Sequence, residues 1–279
     1  MKTLPYRLAA IDLDGTLLGS DLTISPRARE AIRRARAAGC TITLCTGRMY
    51  ASALPYALEL GLDVPLITYH GALVKTAPGG EVLYRRFVPL ALARRVVTFC
   101  QERGFPVNVY YGDGLFVERH TPESAAYGAL ARRRVEAVGD LLAFMQDDPI
   151  KLVALAAPDR LVDLARLEEE WRATHGDALY VTRSQPEFLE FMHPEATKRR
   201  GLLEVARRLG VRREEIMAVG DSWNDLEMFR AAGLAVAMGN APAEVQREAD
   251  YVTARVEDDG VAEALERFVL SAGDGPSCP

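Results

Sequence analysis

Short apolar runs alternate with longer segments of helical spacing over much of the chain. The runs lie at residues 8–11, 41–45, 65–69, 216–219 and 234–238. Continuous apolar runs of this length are typical of parallel strands that are buried on both faces. Because helical segments separate most of these runs, the pattern predicts an α/β fold built on a parallel sheet.

The middle of the chain has a different texture. Between residues 85 and 187 the alternation is less regular, with expected helices at 90–103, 122–132 and 160–175 and strands at 107–111, 151–156 and 179–182. A strand predicted at 187–192 marks the return of the regular rhythm. We therefore predict a Rossmann-like parallel-sheet core made of residues 1–84 and 188–279, which an α+β domain at residues 85–187 interrupts.

Charge and composition exclude several classes of function. The 279 residues carry a formal charge of −5, so no overall field favours nucleic acid or an anionic membrane surface. No apolar stretch reaches the roughly 18 residues that a membrane helix needs, and no signal peptide is evident. The tail from residue 273 is expected to fray.

The four cysteines point to a reducing compartment. Cys40, Cys45, Cys100 and Cys278 form no CxxC pair, which argues against a zinc site or a redox motif. We expect no disulfides and a cytoplasmic location.

Polar groups cluster where the predicted strands end. In open α/β sheets, ligands bind at the carboxyl ends of the strands. The groups at these ends are Asp12-Leu13-Asp14, Thr46-Gly47-Arg48, His70-Gly71 and Gly220-Asp221, with Asn224-Asp225 opening the next helix. Each group alone is weak evidence, but together they suit one reaction.

That reaction involves a cation and a phosphate. Asp12, Asp14 and Asp221 would bring three carboxyl groups together, and like charges at short range need a cation or a proton. Hard oxygen ligands without His or Cys favour Mg²⁺, which usually engages a substrate phosphate. Thr46 and Gly47 offer a hydroxyl and N–H groups to phosphoryl oxygens. Lys198, at the start of a later helix, is the candidate for the missing cationic side chain.

These residues resemble the motifs of the haloacid dehalogenase (HAD) superfamily, specifically its Cof-type phosphatases with a large α/β cap. The motifs are Asp12-Leu13-Asp14-Gly15-Thr16-Leu17, Leu44-Cys45-Thr46-Gly47-Arg48, Lys198, and Gly220-Asp221-Ser222-Trp223-Asn224-Asp225. The resemblance covers essentially the whole chain, and residues 85–187 correspond to the cap. Two positions depart from the family pattern: His70 replaces the usual Asn, and Arg199-Arg200 separate Lys198 from Gly201.

The resemblance implies a role for each motif residue. Asp12 would be the nucleophile, and Asp14 the general acid and base. Mg²⁺ would be held by the Asp12 carboxylate, the Asp14 backbone carbonyl and the Asp221 carboxylate. Phosphate would be held by Thr46, Gly47, Arg48, Lys198 and Asn224, while Asn224 and Asp225 orient Lys198 and the outer sphere of the metal.

The sequence leaves two interpretations open for Arg48 and for His70. Arg48 either approaches the phosphate or pairs with an acid. His70 either contacts substrate or simply ends a strand, which is the more common case for a lone His. Trp223 is expected to pack under the metal site. Candidate cap contacts to the substrate are Tyr110, Tyr111 and Arg183.

The expected function is therefore a Mg²⁺-dependent phosphoric monoester hydrolase. Its substrate would be a small phosphorylated metabolite, such as a sugar phosphate or a nucleotide or cofactor phosphate. A phosphomutase and a non-catalytic phospholigand-binding regulator are the alternatives. The pattern leaves monomer and homodimer equally open.

Overall fold

A computed structural model describes residues 4–131 and 133–271 of the protein. The tail predicted to fray, with Cys278, lies outside the described residues. Cys40, Cys45 and Cys100 are buried free thiols. Within the described ranges, no helix combines the length and the apolar character that a membrane span requires.

Fourteen strands occur in the described part of the chain. They are β1 (Leu8–Ile11), β2 (Thr41–Leu44), β3 (Pro65–Thr68), β4 (Leu73–Thr76), β5 (Val82–Arg85), β6 (Val107–Tyr111), β7 (Gly114–Val117), β8 (Val135–Ala137), β9 (Leu152–Leu155), β10 (Tyr180–Gln185), β11 (Phe188–Met192), β12 (Ile216–Gly220), β13 (Leu234–Ala237) and β14 (Tyr251–Val252).

Ten α-helices connect these strands in the described residues. They are α1 (Pro26–Ala37), α2 (Tyr50–Glu59), α3 (Leu90–Gln101), α4 (Pro122–Ala131), α5 (Leu141–Phe144), α6 (Leu161–His175), α7 (Lys198–Leu209), α8 (Leu226–Phe229), α9 (Ala243–Arg247) and α10 (Gly260–Leu265). A π-helical turn at Glu266–Leu270 continues α10. Most bounds fall within two or three residues of those predicted.

The core is a five-stranded parallel sheet with strand order β14-β13-β12-β1-β2. Its central strand β1 is buried along its whole length, as the continuous apolar run predicts. Ala9 and Ile11 pack with α1 and α10 on one face, while Leu8 and Ala10 pack with α7 and α8 on the other. Alternate side chains of a strand point to opposite faces, so β1 needs apolar residues at every position. The predicted parallel α/β core is confirmed.

The third predicted strand differs from the prediction. β3 was expected to be a buried parallel strand like β1 and β2, but it pairs antiparallel with β4 in a separate sheet of order β3-β4-β5. A single parallel bridge, Cys45 to Ile67, links it to the end of β2. The turn around residues 78–80 allows β4 and β5 to form a hairpin, and β3 pairs with β4 at the edge of this hairpin.

The inserted segment forms a six-stranded sheet of order β10-β11-β9-β6-β7-β8. Its outer face packs against α3 and α6, with Trp171 of α6 fully buried. Its inner face carries Tyr110, Lys151, Phe188 and Glu190 toward the core. An inserted α+β layer beside the core is therefore observed, although the domain bounds themselves remain a prediction.

The strand β11 belongs to the six-stranded sheet. The sequence pattern placed residues 188–192 in the core, but β11 pairs antiparallel with both β9 and β10 of the six-stranded sheet. The run Phe188–Met192 is apolar enough to suit either sheet, and the short turn after Gln185 returns the chain directly alongside β10. The pairing of the six-stranded sheet therefore extends to Met192, opposite Tyr180.

Helix α7 is the first helix after β11, the last strand of the six-stranded sheet along the chain. Thr197 is its N-cap, and the Thr197 side chain accepts a hydrogen bond from the Arg200 N–H. Gly210 ends the helix in the left-handed conformation that favours glycine. Lys198 is the first residue of α7, so the cap fixes where its side chain starts.

Replacing Thr197 with Ala should lower the free energy of unfolding by about 1 kcal/mol, because one helix N–H loses its acceptor. Urea unfolding measures the loss. Ser25→Ala is the matched control, since Ser25 caps α1 in the same way through the Ala28 N–H. An unchanged Thr197→Ala protein beside a destabilised Ser25→Ala protein would contradict the assigned cap.

Candidate active site

The carboxyl ends of the core strands meet at a cavity of about 350 Å³. Asp12 follows β1, Thr46 follows β2, and Asp221 follows β12, so the parallel order brings three distant segments together. The predicted site residues that line the cavity are Asp12, Asp14, Thr46, Gly47, Arg48, Asp221 and Asn224. Lys198 and Asp225 approach the same place from α7 and from the turn before α8.

A buried ammonium group lies between two carboxylates at the closed end of the cavity. Lys198 Nζ donates to Asp12 Oδ1 at 2.7 Å and to Asp225 Oδ1 at 2.5 Å. Burial alone would lower the pKa of Lys198, but Asp12 and Asp225 raise it above its ordinary value. Lys198 is therefore a fixed positive charge beside Asp12.

Asp225 organises the loop that carries Asp221. Its second oxygen, Oδ2, accepts from the backbone N–H groups of Asp221 and Ser222, both at 2.9 Å. Asp225 thus holds Lys198 with one oxygen and the loop with the other. This arrangement fits the predicted supporting role rather than direct contact with a substrate.

Oxygens of Asp12, Asp221 and Asp225 lie within 4.8 Å of one another. Burial raises the pKa of Asp12, although Lys198 opposes the shift. Burial also raises the pKa of Asp221, to about 7, and the Asp225 carboxylate adds to this rise. Buried carboxylates this close are stabilised by a cation, and an all-oxygen donor set suits a divalent hard metal. Both carboxylate oxygens of Asp225 already accept hydrogen bonds. The side chains of Asp12 and Asp221 are therefore best placed to bind such a metal.

Asp14 points away from this carboxylate cluster. Its side chain is 53% exposed and receives two hydrogen bonds from Arg48, from Nε at 2.7 Å and from Nη2 at 2.5 Å. Of the two interpretations of Arg48, the structure thus shows pairing with an acid. Arg48 also lines the cavity, within reach of a bound anion.

The loop after β2 contributes backbone and hydroxyl groups. Thr46 Oγ1 accepts a hydrogen bond from the Arg48 N–H at 3.1 Å. This contact leaves the hydroxyl hydrogen of Thr46 able to donate to another group. Across the cavity, Asn224 Oδ1 is buried and has no hydrogen-bond partner among the described residues. A buried amide without a partner is costly unless a ligand or water completes it.

Two residues that support the site were missed by the sequence reasoning. Thr16 Oγ1 donates to Asp221 Oδ1 at 3.1 Å. Asn240 Nδ2 donates to the Gly15 carbonyl at 2.8 Å, and Asn240 Oδ1 accepts from the Val256 N–H. Asn240 follows β13 at the same edge of the sheet, so its position after a strand was the available signal.

The inserted segment covers the cavity with a set of residues that we call the roof: Tyr110, Tyr127, Lys151, Phe188 and Glu190. Only Tyr110 was predicted. The missed signal was a charged residue inside an apolar strand, as for Glu190 between Leu189 and Phe191. Such residues are almost never buried unless they are paired.

Three other predicted positions lie elsewhere. Tyr111 donates its hydroxyl to the Asp147 carbonyl, and Arg183 pairs with Glu168 of α6. Trp223, expected to pack under the metal site, is 56% exposed because its short 3₁₀ turn directs it outward. His70, for which a substrate contact and a strand end were both open, follows β3 and is buried in the lining of the cavity.

Comparison with known proteins agrees with this geometry. The model of the haloacid dehalogenase-like hydrolases matches residues 9–265, and the chain belongs to this family. A crystal structure of a haloacid dehalogenase-like hydrolase from Bacteroides thetaiotaomicron has 30% identity and a TM-score of 0.84. The match covers 94% of this chain and 99% of that chain.

Curated relatives indicate which kind of hydrolase the chain is. In Bacillus subtilis, 5-amino-6-(5-phospho-D-ribitylamino)uracil phosphatase YitU is 29% identical, over 96% of this chain and 99% of the relative. Phosphatase YwpJ of the same organism is 27% identical, over 94% and 100%. The resemblance to Cof-type phosphatases is thus confirmed, and the chain is a phosphoric monoester hydrolase.

The raised pKa of Asp221 predicts how the metal-free protein responds to pH. A carboxyl with a folded-state pKa of about 7 and an unfolded value of about 3.9 stabilises the fold fully below the lower value. This contribution is lost as the pH rises toward 7. In EDTA, the free energy of unfolding should therefore fall between about pH 4 and pH 7, and Asp221→Asn should weaken that fall.

Urea unfolding at a series of pH values measures this slope. Asp63→Asn is the control, because Asp63 is an exposed acid whose side chain pairs only loosely with Arg36, at 3.6 Å. The same slope in Asp221→Asn and in the unmodified protein would contradict the assignment of the shift to Asp221.

Proposed function

We propose that the protein is a Mg²⁺-dependent phosphatase that hydrolyses small phosphorylated metabolites through an aspartyl-phosphate on Asp12. One observation carries the proposal: a buried Lys198 ammonium holds the Asp12 carboxylate at the floor of a cavity, beside Asp221. The clustered carboxylates would hold Mg²⁺ through Asp12 and Asp221, with the Asp14 backbone carbonyl as the further ligand implied by the family resemblance. When bound, the cation would neutralise charge on the phosphate and on the attacking carboxylate.

The chain's own residues account for the two chemical steps. The Asp12 carboxylate attacks phosphorus, the bond from phosphorus to the ester oxygen breaks, and Asp14 gives its proton to the departing alkoxide. Asp14 then takes a proton from water, the resulting hydroxide attacks the same phosphorus, and Asp12 leaves as inorganic phosphate forms. The proton that Asp14 takes from water replaces the one that it gives to the alkoxide, so the two steps balance.

Other residues position the phosphate. Thr46, the Gly47 N–H and Lys198 would contact the equatorial oxygens, where the transition-state charge accumulates. Asn224 also lines the cavity, and its side-chain Nδ2 would donate to a phosphoryl oxygen. Arg48 would exchange Asp14 for the incoming phosphate, which frees Asp14 for its role as an acid.

The substrate class follows from the cavity and from the relatives. A cavity of about 350 Å³ is of a size that suits a small metabolite phosphate. YitU is named for a ribityl phosphate, and sugar phosphates or nucleotide or cofactor phosphates remain the proposed substrates here. The buried free cysteines are consistent with a cytoplasmic location.

Asp12→Asn should lower turnover of metabolite phosphates by roughly 10³-fold or more, because the nucleophile is lost. The measurement is inorganic phosphate released from a panel of sugar, nucleotide and cofactor monophosphates with Mg²⁺. Asp21→Asn is the control, since Asp21 is an acid near the same motif whose carboxylate accepts hydrogen bonds from Thr23. Substantial phosphate release by a folded Asp12→Asn protein would refute the nucleophile, and an isomerised phosphate ester without phosphate release would indicate a phosphomutase.

EDTA should abolish phosphate release, and added Mg²⁺ should restore it. Asp221→Asn should raise the Mg²⁺ concentration for half-maximal activity by roughly tenfold or more, because one charged ligand is lost. Asp63→Asn, remote from the cavity, should leave this concentration unchanged. Activity that persists in EDTA, or an Asp221→Asn protein with unaltered Mg²⁺ dependence, would count against the proposed metal site.

A further inference from the structure

Three buried ionisable side chains meet at the boundary between the core and the roof. Lys151 Nζ lies 2.8 Å from Glu190 Oε2, and His70 Nε2 lies 3.0 Å from the same oxygen. Each of the three side chains is 2–3% exposed, and all three line the cavity. None of them has a role in the phosphoryl chemistry described above.

The core presents His70 in an unusual backbone conformation. Tyr69 and His70 have φ values of 51° and 54°, a left-handed region that side chains other than glycine rarely adopt. Gly47 makes room for the imidazole, because a β-carbon there would lie 2.3 Å from His70 Cε1. Backbone strain that persists at a cavity is a mark of a functional position.

The roof supplies the two charges. Lys151 precedes β9 and Glu190 lies within β11, both on the inner face of the six-stranded sheet. Lys151 Nζ is also 5.0 Å from the ring centre of Tyr110, whose hydroxyl donates to Tyr127. The ammonium group therefore lies beside the Glu190 carboxylate and the ring of Tyr110 in the lining of the cavity.

Stability gives a weak reason for this cluster. Replacing a buried ion pair with neutral side chains of similar volume is often neutral or stabilising. Lys151 and His70 lower the pKa of Glu190 despite its burial, and burial lowers the pKa of His70. The cluster is thus a Lys⁺–Glu⁻ pair beside a neutral imidazole, with no net charge to attract a second phosphate.

We propose that His70 is a positioning residue which anchors Glu190 to the core and so fixes the Lys151 ammonium as the group that contacts hydroxyl oxygens of the leaving group. This inference rests on the proposed phosphatase function and adds residues that determine specificity. A paired ammonium and carboxylate offer both a donor and an acceptor, which suits neutral hydroxyl groups. The phosphate stays at the floor with Lys198, and the carbon chain extends toward the roof.

Two esters of equal chain length isolate this effect. Ribitol 5-phosphate and pentyl phosphate both release a primary alkoxide, but only the first presents hydroxyl groups to the roof. We expect the unmodified protein to have a lower KM for ribitol 5-phosphate. The double variant Lys151→Met/Glu190→Gln keeps the side-chain volumes and removes both charges together, so it should fold more readily than Lys151→Met alone, which removes only the ammonium of the pair.

The double variant should lose roughly tenfold or more of the preference in kcat/KM for ribitol 5-phosphate over pentyl phosphate, mainly through KM. His70→Leu should shift the preference in the same direction, and His70→Gln, which retains a side-chain N–H, should keep most of it. Arg183→Met is the matched control, because the Arg183–Glu168 pair lies on the outer side of the same sheet, against α6.

The possible outcomes separate this inference from the proposed function. Equal changes for both esters in the variants, or no preference in the unmodified protein, would overturn the role of the cluster while phosphate release still supports the phosphatase. A His70→Gln protein as impaired as His70→Leu would overturn the positioning role of His70. No phosphate release from any monoester with Mg²⁺ would instead refute the proposed function itself.

Discussion

The position of the buried Lys198 ammonium governs the arrangement of the site. It needs compensation by Asp12 and Asp225, and removing one partner of a buried pair leaves an uncompensated charge. The end of β1, the turn before α8 and the start of α7 must therefore meet at one place. When ionised, the three clustered carboxylates exceed the single ammonium by two negative charges, which matches a divalent cation. The meeting of these segments, the proposed nucleophile and the proposed metal site thus share one electrostatic origin.

Much of the core was accessible from sequence because its signal is local. A strand buried on both faces requires an uninterrupted apolar run, and β1 and β12 show it directly. Parallel order then brings the residues that follow these strands to one edge. The same signal could not identify the sheet to which β11 belongs, or the direction in which β3 pairs, because an apolar run carries no information about its neighbour.

The candidate site divides in the same way. Asp12 and Asp221 occupy motif positions whose spacing constrains them, whereas the side-chain direction of Trp223 depends on a 3₁₀ turn that the motif does not specify. His70, Lys151 and Glu190 are separated by 81 and 39 residues along the chain. Their proximity arises only when the six-stranded sheet lies over the core, so no pattern within a short window could reveal it.

The segment that leads from the roof back to the core also connects Glu190 of the roof closely with Lys198 of the floor. Residues 193–197 are all that separates the end of β11, which carries Glu190, from Lys198 at the start of α7. A roof with different side chains can therefore be exchanged on this core, provided that this segment keeps its length and its Thr197 cap. On the proposed function, the same scaffold could thereby diversify toward new phosphate esters while the proposed phosphate-binding residues are inherited intact.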